Sequence, residues 1–303
     1  MRYPFWTADV FTDRAFAGNP LAVVADAAGL TTEQMQAIAH EFNLSETTFV
    51  LPPESKEHTF RLRIFTPAGE LPFAGHPTVG SAFVLAHAGR VKLDGDVTRI
   101  VFGENVGPVR VDIRAFNGKP VSSRLWAAQL PEFGPPPPAV ESIAVALGLD
   151  PGDVLDDDRD RPTSLSCGTP FLFVPLRSLD AVRRARVNRE KWAQTMNTRW
   201  TKGVFLFSHE VEGKDATVHA RMFAPAFGVE EDPATGGAAA AFAGYLARRD
   251  QLTSGSARWV IEQGIEMRRP SRMEVEADAA NGALTAVRVA GPSVIMTEGY
   301  MQL

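Results

Sequence analysis

The fold is decided by the stretch Phe73-Ala74-Gly75-His76-Pro77-Thr78-Val79-Gly80-Ser81-Ala82-Phe83-Val84-Leu85-Ala86. A similar stretch follows later: Asp232-Pro233-Ala234-Thr235-Gly236-Gly237-Ala238-Ala239-Ala240-Ala241-Phe242-Ala243-Gly244-Tyr245-Leu246. Each is a glycine-bearing turn followed by a helix pattern that is apolar on nearly every face. Because such helices belong in a core, the sequence predicts two cores in two similar lobes. The first N–H groups of a helix lack intrahelical acceptors, so we expect both N-termini to face one cleft and hold one anionic substrate.

Composition limits the classes of function. The chain has 303 residues, 45% hydrophobic and 22% charged, which is typical of a globular protein with room for two domains. A net charge of −5 without a block of Lys or Arg argues against nucleic acid as a partner. No apolar run approaches the roughly 20 residues that cross a bilayer, and the N-terminus has no signal pattern. A single cysteine excludes an intrachain disulfide. We expect a cytoplasmic protein that binds neither nucleic acid nor membrane.

Strand and helix patterns indicate an α+β protein rather than an alternating nucleotide-binding sheet. Strand patterns occupy much of the chain, at 3–11, 21–25, 47–51, 59–66, 100–102, 108–113, 171–176, 203–207, 217–223 and in four segments after 258. Helix patterns follow Thr31 or Thr32 and lie at 140–147 and 178–196. A stiff proline-rich stretch, 131–138, suggests a boundary. We predict two lobes, 1–125 and 126–289, each a strongly curved sheet around its apolar helix, with a C-terminal strand of about 290–303 returning to the first lobe.

Three residues are candidates for chemistry. His76 is either a partly exposed residue of a well-made helix start, with Pro77 in the first turn, or a donor and proton relay in the cleft. Asp232 either complements the helix dipole or binds a substrate amine or hydroxyl, while the N–H groups after it bind an acid. Glu46 is the best acid/base candidate, since desolvation between a helix and an apolar strand would raise its pKa toward neutrality, although a Glu in such a turn is usually just solvated.

Other chemistries find little support. Cys167 lies in Ser166-Cys167-Gly168-Thr169, but a strand pattern follows it, so no helix N-terminus stabilises a thiolate and we expect a structural role. The remaining histidines show no metal-ligand spacing, and the sequence has no phosphate loop, dinucleotide fingerprint or Gly-x-Ser-x-Gly elbow. The sequence therefore predicts a site without metal or cofactor.

Several motifs together resemble the PhzF-like phenazine-biosynthesis isomerases, over essentially the whole chain. They are 43–50 (Asn-Leu-Ser-Glu-Thr-Thr-Phe-Val), 66–78, 231–236 (Glu-Asp-Pro-Ala-Thr-Gly), the opening 10–23 and the closing stretch from Glu262-Gln263-Gly264 to Gly299. The resemblance implies the diaminopimelate-epimerase fold and a cofactor-independent isomerase, commonly a homodimer, with its site between the lobes.

The resemblance also implies roles for particular residues. Glu46 would be the general acid/base, Gly75 and His76 the substrate-binding and proton-relay turn, and Asp232 the acidic residue opposite. The matching turns would place the remaining substrate contacts at Asn19, Pro77, Thr78, Thr235, Gly236 and Gly237. The phenazine enzyme has a serine where this chain has Gly237, which questions that substrate. Related racemases carry a cysteine in each turn, whereas Thr235 and Ala74-Gly75 stand here, so two-thiol racemisation is excluded.

The predicted reaction moves a proton on a small carboxylate substrate, with Glu46 removing and returning the proton and fixed N–H donors stabilising the enolate-like charge. Two alternatives stay open. One is a two-base amino-acid or hydroxy-acid epimerase that uses Glu46 and Asp232. The other is a non-catalytic small-ligand-binding or interaction protein on the same scaffold.

Overall fold

The computed structural model describes residues 1–196, 200–201 and 203–303, with the backbone alone at residue 227. The strands are β1 (Arg2–Val10), β2 (Asn19–Val24), β3 (Glu46–Leu51), β4 (Phe60–Thr66), β5 (Gly69–Leu71), β6 (Val97–Glu104), β7 (Gly107–Phe116), β8 (Lys119–Trp126), β9 (Glu132–Phe133), β10 (Thr163–Ser166), β11 (Pro170–Pro175), β12 (Gly203–Ser208), β13 (Val218–Ala224), β14 (Val229–Asp232), β15 (Gly255–Gln263), β16 (Ser271–Ala280), β17 (Ala283–Gly291) and β18 (Ser293–Gln302). The helices are α1 (Thr32–Phe42), α2 (Gly75–His87), α3 (Val140–Ala146), α4 (Leu179–Arg184), α5 (Arg189–Thr195) and α6 (Gly236–Arg249).

The chain divides into two compact units. Unit 1 comprises Met1–Ala128 and Arg288–Leu303, and unit 2 comprises Gln129–Val287. The division into two domains at 1–125 and 126–289 stays a prediction.

Unit 1 is a curved sheet around α2. β1 pairs antiparallel with both β2 and β18, β2 pairs parallel with β3, and β4 continues through β6 and β7 to β8. α2 packs against β1, β2, β3, β7, β8 and β18, so strands surround it. Every residue from Gly75 to Ala86 is buried, as an all-round apolar helix requires. Only α1 is amphipathic, with Met35, Ile38 and Ala39 buried and a capping box between Thr31 and Gln34.

Unit 2 repeats this plan around α6, which packs against β10, β11 and β16. Strand alternation explains its two apolar layers. In β11, Phe173 stacks on Phe242 of α6 with ring centroids 5.3 Å apart, while Leu172 and Val174 face the other way into a cluster with Trp192 of α5. The predicted α+β class, with a curved sheet around an apolar helix in each unit, is confirmed.

Two local expectations need correction. The predicted helix over 178–196 is two short helices, α4 and α5, because Asn188 caps a new helix by accepting a hydrogen bond from Lys191 N. The proline-rich stretch does not act only as a spacer. Its first residues form β9, where Phe133 pairs with Leu165 of β10.

Candidate active site

The start of β3 places Glu46 beside the start of β2. α1 ends at Asn43, which adopts a left-handed φ of 49° and turns the chain into the strand. Parallel pairing aligns Leu21 with Glu46, so Ser45 and Asn19 become neighbours. The Ser45 hydroxyl donates to Asn19 Oδ1 over 2.9 Å. A pairing between strands thus brings a predicted acid/base next to a predicted substrate-binding residue.

Asn19 in turn holds His76, the second residue of α2. Since Ser45 occupies Asn19 Oδ1, the amide nitrogen Nδ2 faces His76 Nδ1 and donates to it over 3.1 Å. An imidazole that accepts at Nδ1 carries its proton on Nε2. His76 Nε2 lies 3.3 Å from Glu46 Oε2. The two atoms are close, although their angles do not form a hydrogen bond in this structure.

Burial keeps this imidazole neutral. His76 is only 3% exposed, and desolvation lowers its pKa to about 3. The contact with Glu46 is therefore between a neutral imidazole and a carboxyl group, and not an ion pair at neutral pH. The Glu46 side chain keeps 15% of its surface exposed, although Oε2, the oxygen beside His76, is buried. The expectation that His76 is partly exposed is wrong, because the helix start is buried, whereas its role as a proton relay stays a prediction.

The first turn of α2 has the features of an anion site. Its N-cap residue, Ala74, makes no side-chain capping bond. The Thr78 hydroxyl donates to the Ala74 carbonyl over 2.8 Å, and Pro77 has no N–H to satisfy. The helix dipole and the N–H groups of Gly75 and His76 favour a negative ligand at this end.

In unit 2 the corresponding turn contains Asp232, Thr235 and the first residues of α6. The Thr235 hydroxyl donates to Asp232 Oδ2 over 2.6 Å. The Gln263 side chain joins both residues, since its Nε2 donates to the Asp232 carbonyl at 2.7 Å and its Oε1 accepts from Thr235 N at 3.2 Å. Asp232 and Gln263 are buried. The turn is thus held by a side chain 28 positions further along the chain.

Two glycines at this turn differ in the space around them. Gly264 has φ +77°, and a Cβ there would lie 2.6 Å from Pro233 O, so the strand end approaches the Asp232 turn more closely than any other residue allows. Gly237 differs. A Cβ at that position would meet only Phe171 Cε2, at 4.0 Å, so the second residue of α6 is open.

The structure therefore groups Asn19, Glu46 and His76 in unit 1, with Gly75, Pro77 and Thr78 on the same helix start. It groups Asp232 and Thr235 in unit 2, next to Gly236 and Gly237. Sequence reasoning assigned no role to Ser45 and Gln263, although both lie in quoted motifs. Gln263 is an uncharged amide at the end of β15, just before Gly264, but the spacing of residues in the sequence does not reveal its partner.

Other candidate chemistry is limited. Cys167 is buried after β10, and burial raises the pKa of its thiol to about 12, so a thiolate is strongly disfavoured. Within 1–196, 200–201 and 203–303, no group of three or more His, Cys, Asp or Glu side chains is arranged to hold a metal ion. None of the helices in the described part of the chain is long and apolar enough to cross a membrane.

Comparison with known proteins shows the family of the chain. Residues 8–299 match the profile of the phenazine biosynthesis-like protein family, PhzC-PhzF. An uncharacterized isomerase of Mesorhizobium japonicum is 41% identical over 298 residues, which cover 97% of this chain and 96% of the relative. Trans-2,3-dihydro-3-hydroxyanthranilate isomerase of Pseudomonas aeruginosa is 35% identical over 295 residues, covering 97% and 98%. The crystal structure of a PhzF-family phenazine biosynthesis protein of Bacillus anthracis gives a TM-score of 0.89 at 26% identity, with both chains covered completely.

The family profile and the relatives named as isomerases together identify this protein as an isomerase. The chain belongs to the phenazine biosynthesis-like (PhzF) family, and the resemblance read from its motifs is confirmed.

Proposed function

We propose that this isomerase moves a proton on a small carboxylate substrate by general acid/base catalysis, with Glu46 removing and returning the proton. The observation that carries the proposal is the arrangement of Glu46 and His76. A partly exposed carboxyl group lies 3.3 Å from Nε2 of a neutral imidazole, beside a helix N-terminus. A carboxylate that is oriented but still accessible can take a proton from carbon.

In the proposed mechanism the substrate carboxylate binds the N–H groups of the first turn of α2. The adjacent C–H bond breaks, its proton goes to Glu46, and the electron pair delocalises over the carboxylate and a conjugated carbon–carbon double bond of the substrate as an enolate-like charge. Fixed N–H donors stabilise that charge by an amount on the order of 3 kcal/mol per donor. Glu46, now protonated, returns the proton to the far carbon of that double bond, and the double bond moves to the carbon that lost its proton. His76 orients Glu46 throughout, and Asn19 keeps the Nε2–H tautomer in place.

For the turn in unit 2 we propose a binding role. The Asp232 carboxylate would bind a substrate amine or hydroxyl, and the N–H groups of Gly236 and Gly237 would contact an acidic group. Support comes from the bonds of Thr235 and Gln263, which fix the turn without a ligand. The relative from Pseudomonas aeruginosa is named for an amino-carboxylate substrate, and that chemistry fits a paired carboxylate and N–H site.

We further propose that the reaction needs no cofactor or metal and that the protein is a cytoplasmic homodimer. Activity that survives exhaustive dialysis against a strong chelator supports the first point. Sedimentation equilibrium gives the mass, and a monomer at assay concentration would rule out the dimer.

The test is incorporation of deuterium from D₂O into trans-2,3-dihydro-3-hydroxyanthranilate, followed by proton NMR. Wild type should incorporate deuterium and shift the double bond, and Glu46→Gln should abolish both. Glu41→Gln is the matched control, since Glu41 is exposed near the end of α1 and should leave the rate unchanged. Exchange that persists in Glu46→Gln contradicts the role of Glu46.

The same experiment separates the alternatives. Exchange at one stereocentre without movement of a double bond, tested on a panel of amino and hydroxy acids, favours the two-base epimerase. A ligand-induced rise in melting temperature without any exchange favours a binding protein.

A further inference from the structure

A buried carboxyl group outside the proposed mechanism lies against the first turn of α2. Glu104 is the last residue of β6 and is only 6% exposed. Its Oε1 lies 2.7 Å from Thr78 Oγ1, and Oε2 has no hydrogen-bond partner in the described part of the chain. A buried carboxylate with one bare oxygen is costly, whereas a neutral carboxylic acid is far less so.

The hydrogen bonds around Thr78 favour a proton on Glu104. Thr78 Oγ1 is within reach of two oxygens, the Ala74 carbonyl at 2.8 Å and Glu104 Oε1 at 2.7 Å. The single hydroxyl proton of Thr78 can make one good hydrogen bond, and the Ala74 carbonyl has no proton to donate. A neutral Glu104 resolves this, because it donates to Thr78, which then donates to Ala74. Burial acts in the same direction and raises the pKa of Glu104 to about 8.

This chain of bonds ends at the residue that precedes Gly75 and His76. The turn after β6 supports the same segment from a second side. Val106 N donates to the Pro72 carbonyl over 3.1 Å, and Asn105 Nδ2 donates to Glu70 Oε1 over 3.2 Å. The hairpin between β6 and β7 therefore holds the segment that precedes α2 through hydrogen bonds.

We propose that Glu104, in its neutral form, is a positioning residue of the active site: it fixes the first turn of α2 through Thr78 and keeps negative charge away from the N–H groups that bind the substrate carboxylate. The inference rests on the proposed function. Ionisation of Glu104 would break the donor chain and place a buried anion next to the helix N-terminus, where it competes with the substrate for the same positive end.

The charged groups around Glu104 influence the pH at which Glu104 ionises. From β4, the Arg61 guanidinium donates to the Gly103 carbonyl at 2.7 Å and to Asn105, and it favours the ionised form of Glu104. His58 packs against Gly103, Glu70 of β5 reaches Asn105, and His76 on α2 is neutral. Arg61 opposes the effect of burial without overcoming it.

The experiment uses the full-length protein and two readouts. In ligand-free protein, the backbone amide resonances of Gly75, His76 and Thr78 are followed by NMR from pH 6.5 to 9.5. Wild type should show a titration centred near pH 8, and Glu104→Gln, which keeps a neutral donor, should show none. With trans-2,3-dihydro-3-hydroxyanthranilate in D₂O, the wild-type exchange rate should fall roughly tenfold per pH unit above that midpoint. Glu104→Gln should lose this alkaline limb, and Glu57→Gln, an exposed control, should keep it.

The outcomes separate the two proposals. A titration in wild type without Glu46-dependent exchange supports the positioning by Glu104 and overturns the proposed function. Exchange without the titration, or an alkaline limb that is the same in Glu104→Gln, overturns the inference about Glu104 and leaves the proposed function in place. If Glu104→Gln does not fold, the wild-type amide titration decides the question alone.

Discussion

Asn19 Nδ2 donates to His76 Nδ1 over 3.1 Å, and this bond decides which nitrogen of the imidazole carries the proton. The two residues are 57 positions apart and meet because β2 runs past the start of α2. With Nδ1 occupied as an acceptor, Nε2–H is left to face Glu46.

Asn19→Ala should therefore slow proton exchange by at least about tenfold, since a tautomer that points its lone pair at Glu46 no longer orients the carboxylate. Nitrogen-15 NMR of the imidazole should show a single Nε2–H tautomer in wild type and a mixture in the variant. Ser45→Ala keeps the amide and loses only its orienting bond, so a smaller effect is expected. Equal rates in wild type and Asn19→Ala would remove Asn19 from the site.

A second prediction concerns the ion cluster around His219, at the start of β13. His219 is fully buried, with Nδ1 2.8 Å from Glu262 Oε1 and Nε2 2.9 Å from Glu266 Oε1. Burial opposes a charge on His219, but the bonds to both carboxylates outweigh it and raise its pKa to about 9. A histidine with a raised folded-state pKa stabilises the protein fully below its ordinary pKa of 6.5, and this contribution is lost as the pH rises through about 9.

His219→Gln should lower the free energy of unfolding at pH 7 by about 3 kcal/mol, because one buried and one half-buried carboxylate lose their shared cation. Urea unfolding measured from pH 6 to 9.5 should show a decline for wild type and a flatter curve for the variant. Glu266→Gln keeps an acceptor and one carboxylate, so its loss should be smaller. Parallel curves for wild type and His219→Gln would contradict the charge assignment.

A third prediction tests the open position at the start of α6. Gly237→Ser should leave the melting temperature within about 2 °C of wild type, since a Cβ there meets nothing closer than 4.0 Å. Gly80→Ser is the opposite control. Its Cβ would lie 2.6 Å from both Val10 and Leu21 side chains, and overpacking should cost about 1–3 kcal/mol.

The serine hydroxyl should also change specificity. If it contacts the substrate, Gly237→Ser should raise kcat/KM for trans-2,3-dihydro-3-hydroxyanthranilate by up to about tenfold, the value of one added hydrogen bond, while Gly237→Ala should not. The same kcat/KM in all three proteins would show that this position does not face that substrate.

A fourth prediction concerns the single cysteine. Since burial raises the pKa of Cys167 to about 12, native protein should resist iodoacetamide at pH 8 and react only when unfolded. Cys167→Ala should keep the exchange rate within about twofold and lose on the order of 1 kcal/mol of stability from the vacated volume. Rapid alkylation with loss of activity would restore the thiol as a candidate for chemistry.

Much of the fold could be read from local pattern. Strand periods and the two all-apolar helices are set by residues a few positions apart, so their types and burial were predictable. The helix over 178–196 was misread because Asn188 begins a second helix by capping it, a choice that overall polarity does not reveal. Of the site, the sequence supplied Glu46, His76 and Asp232 as candidates but not the bonds that orient them.

What the sequence alone determined is therefore the repeated plan of a turn followed by a buried helix, and the residue types that we propose bind a ligand there. Only the tertiary structure decided that Asn19 orients His76, that Gln263 holds the Asp232 turn, and that Glu104 supports Thr78. The reason is physical: each of these contacts joins residues at least 26 positions apart, and strand register brings them together and excludes water from them. Local spacing fixes which side chains share a face. Their hydrogen-bond partners, their protonation states and their burial depend on how the strands pair.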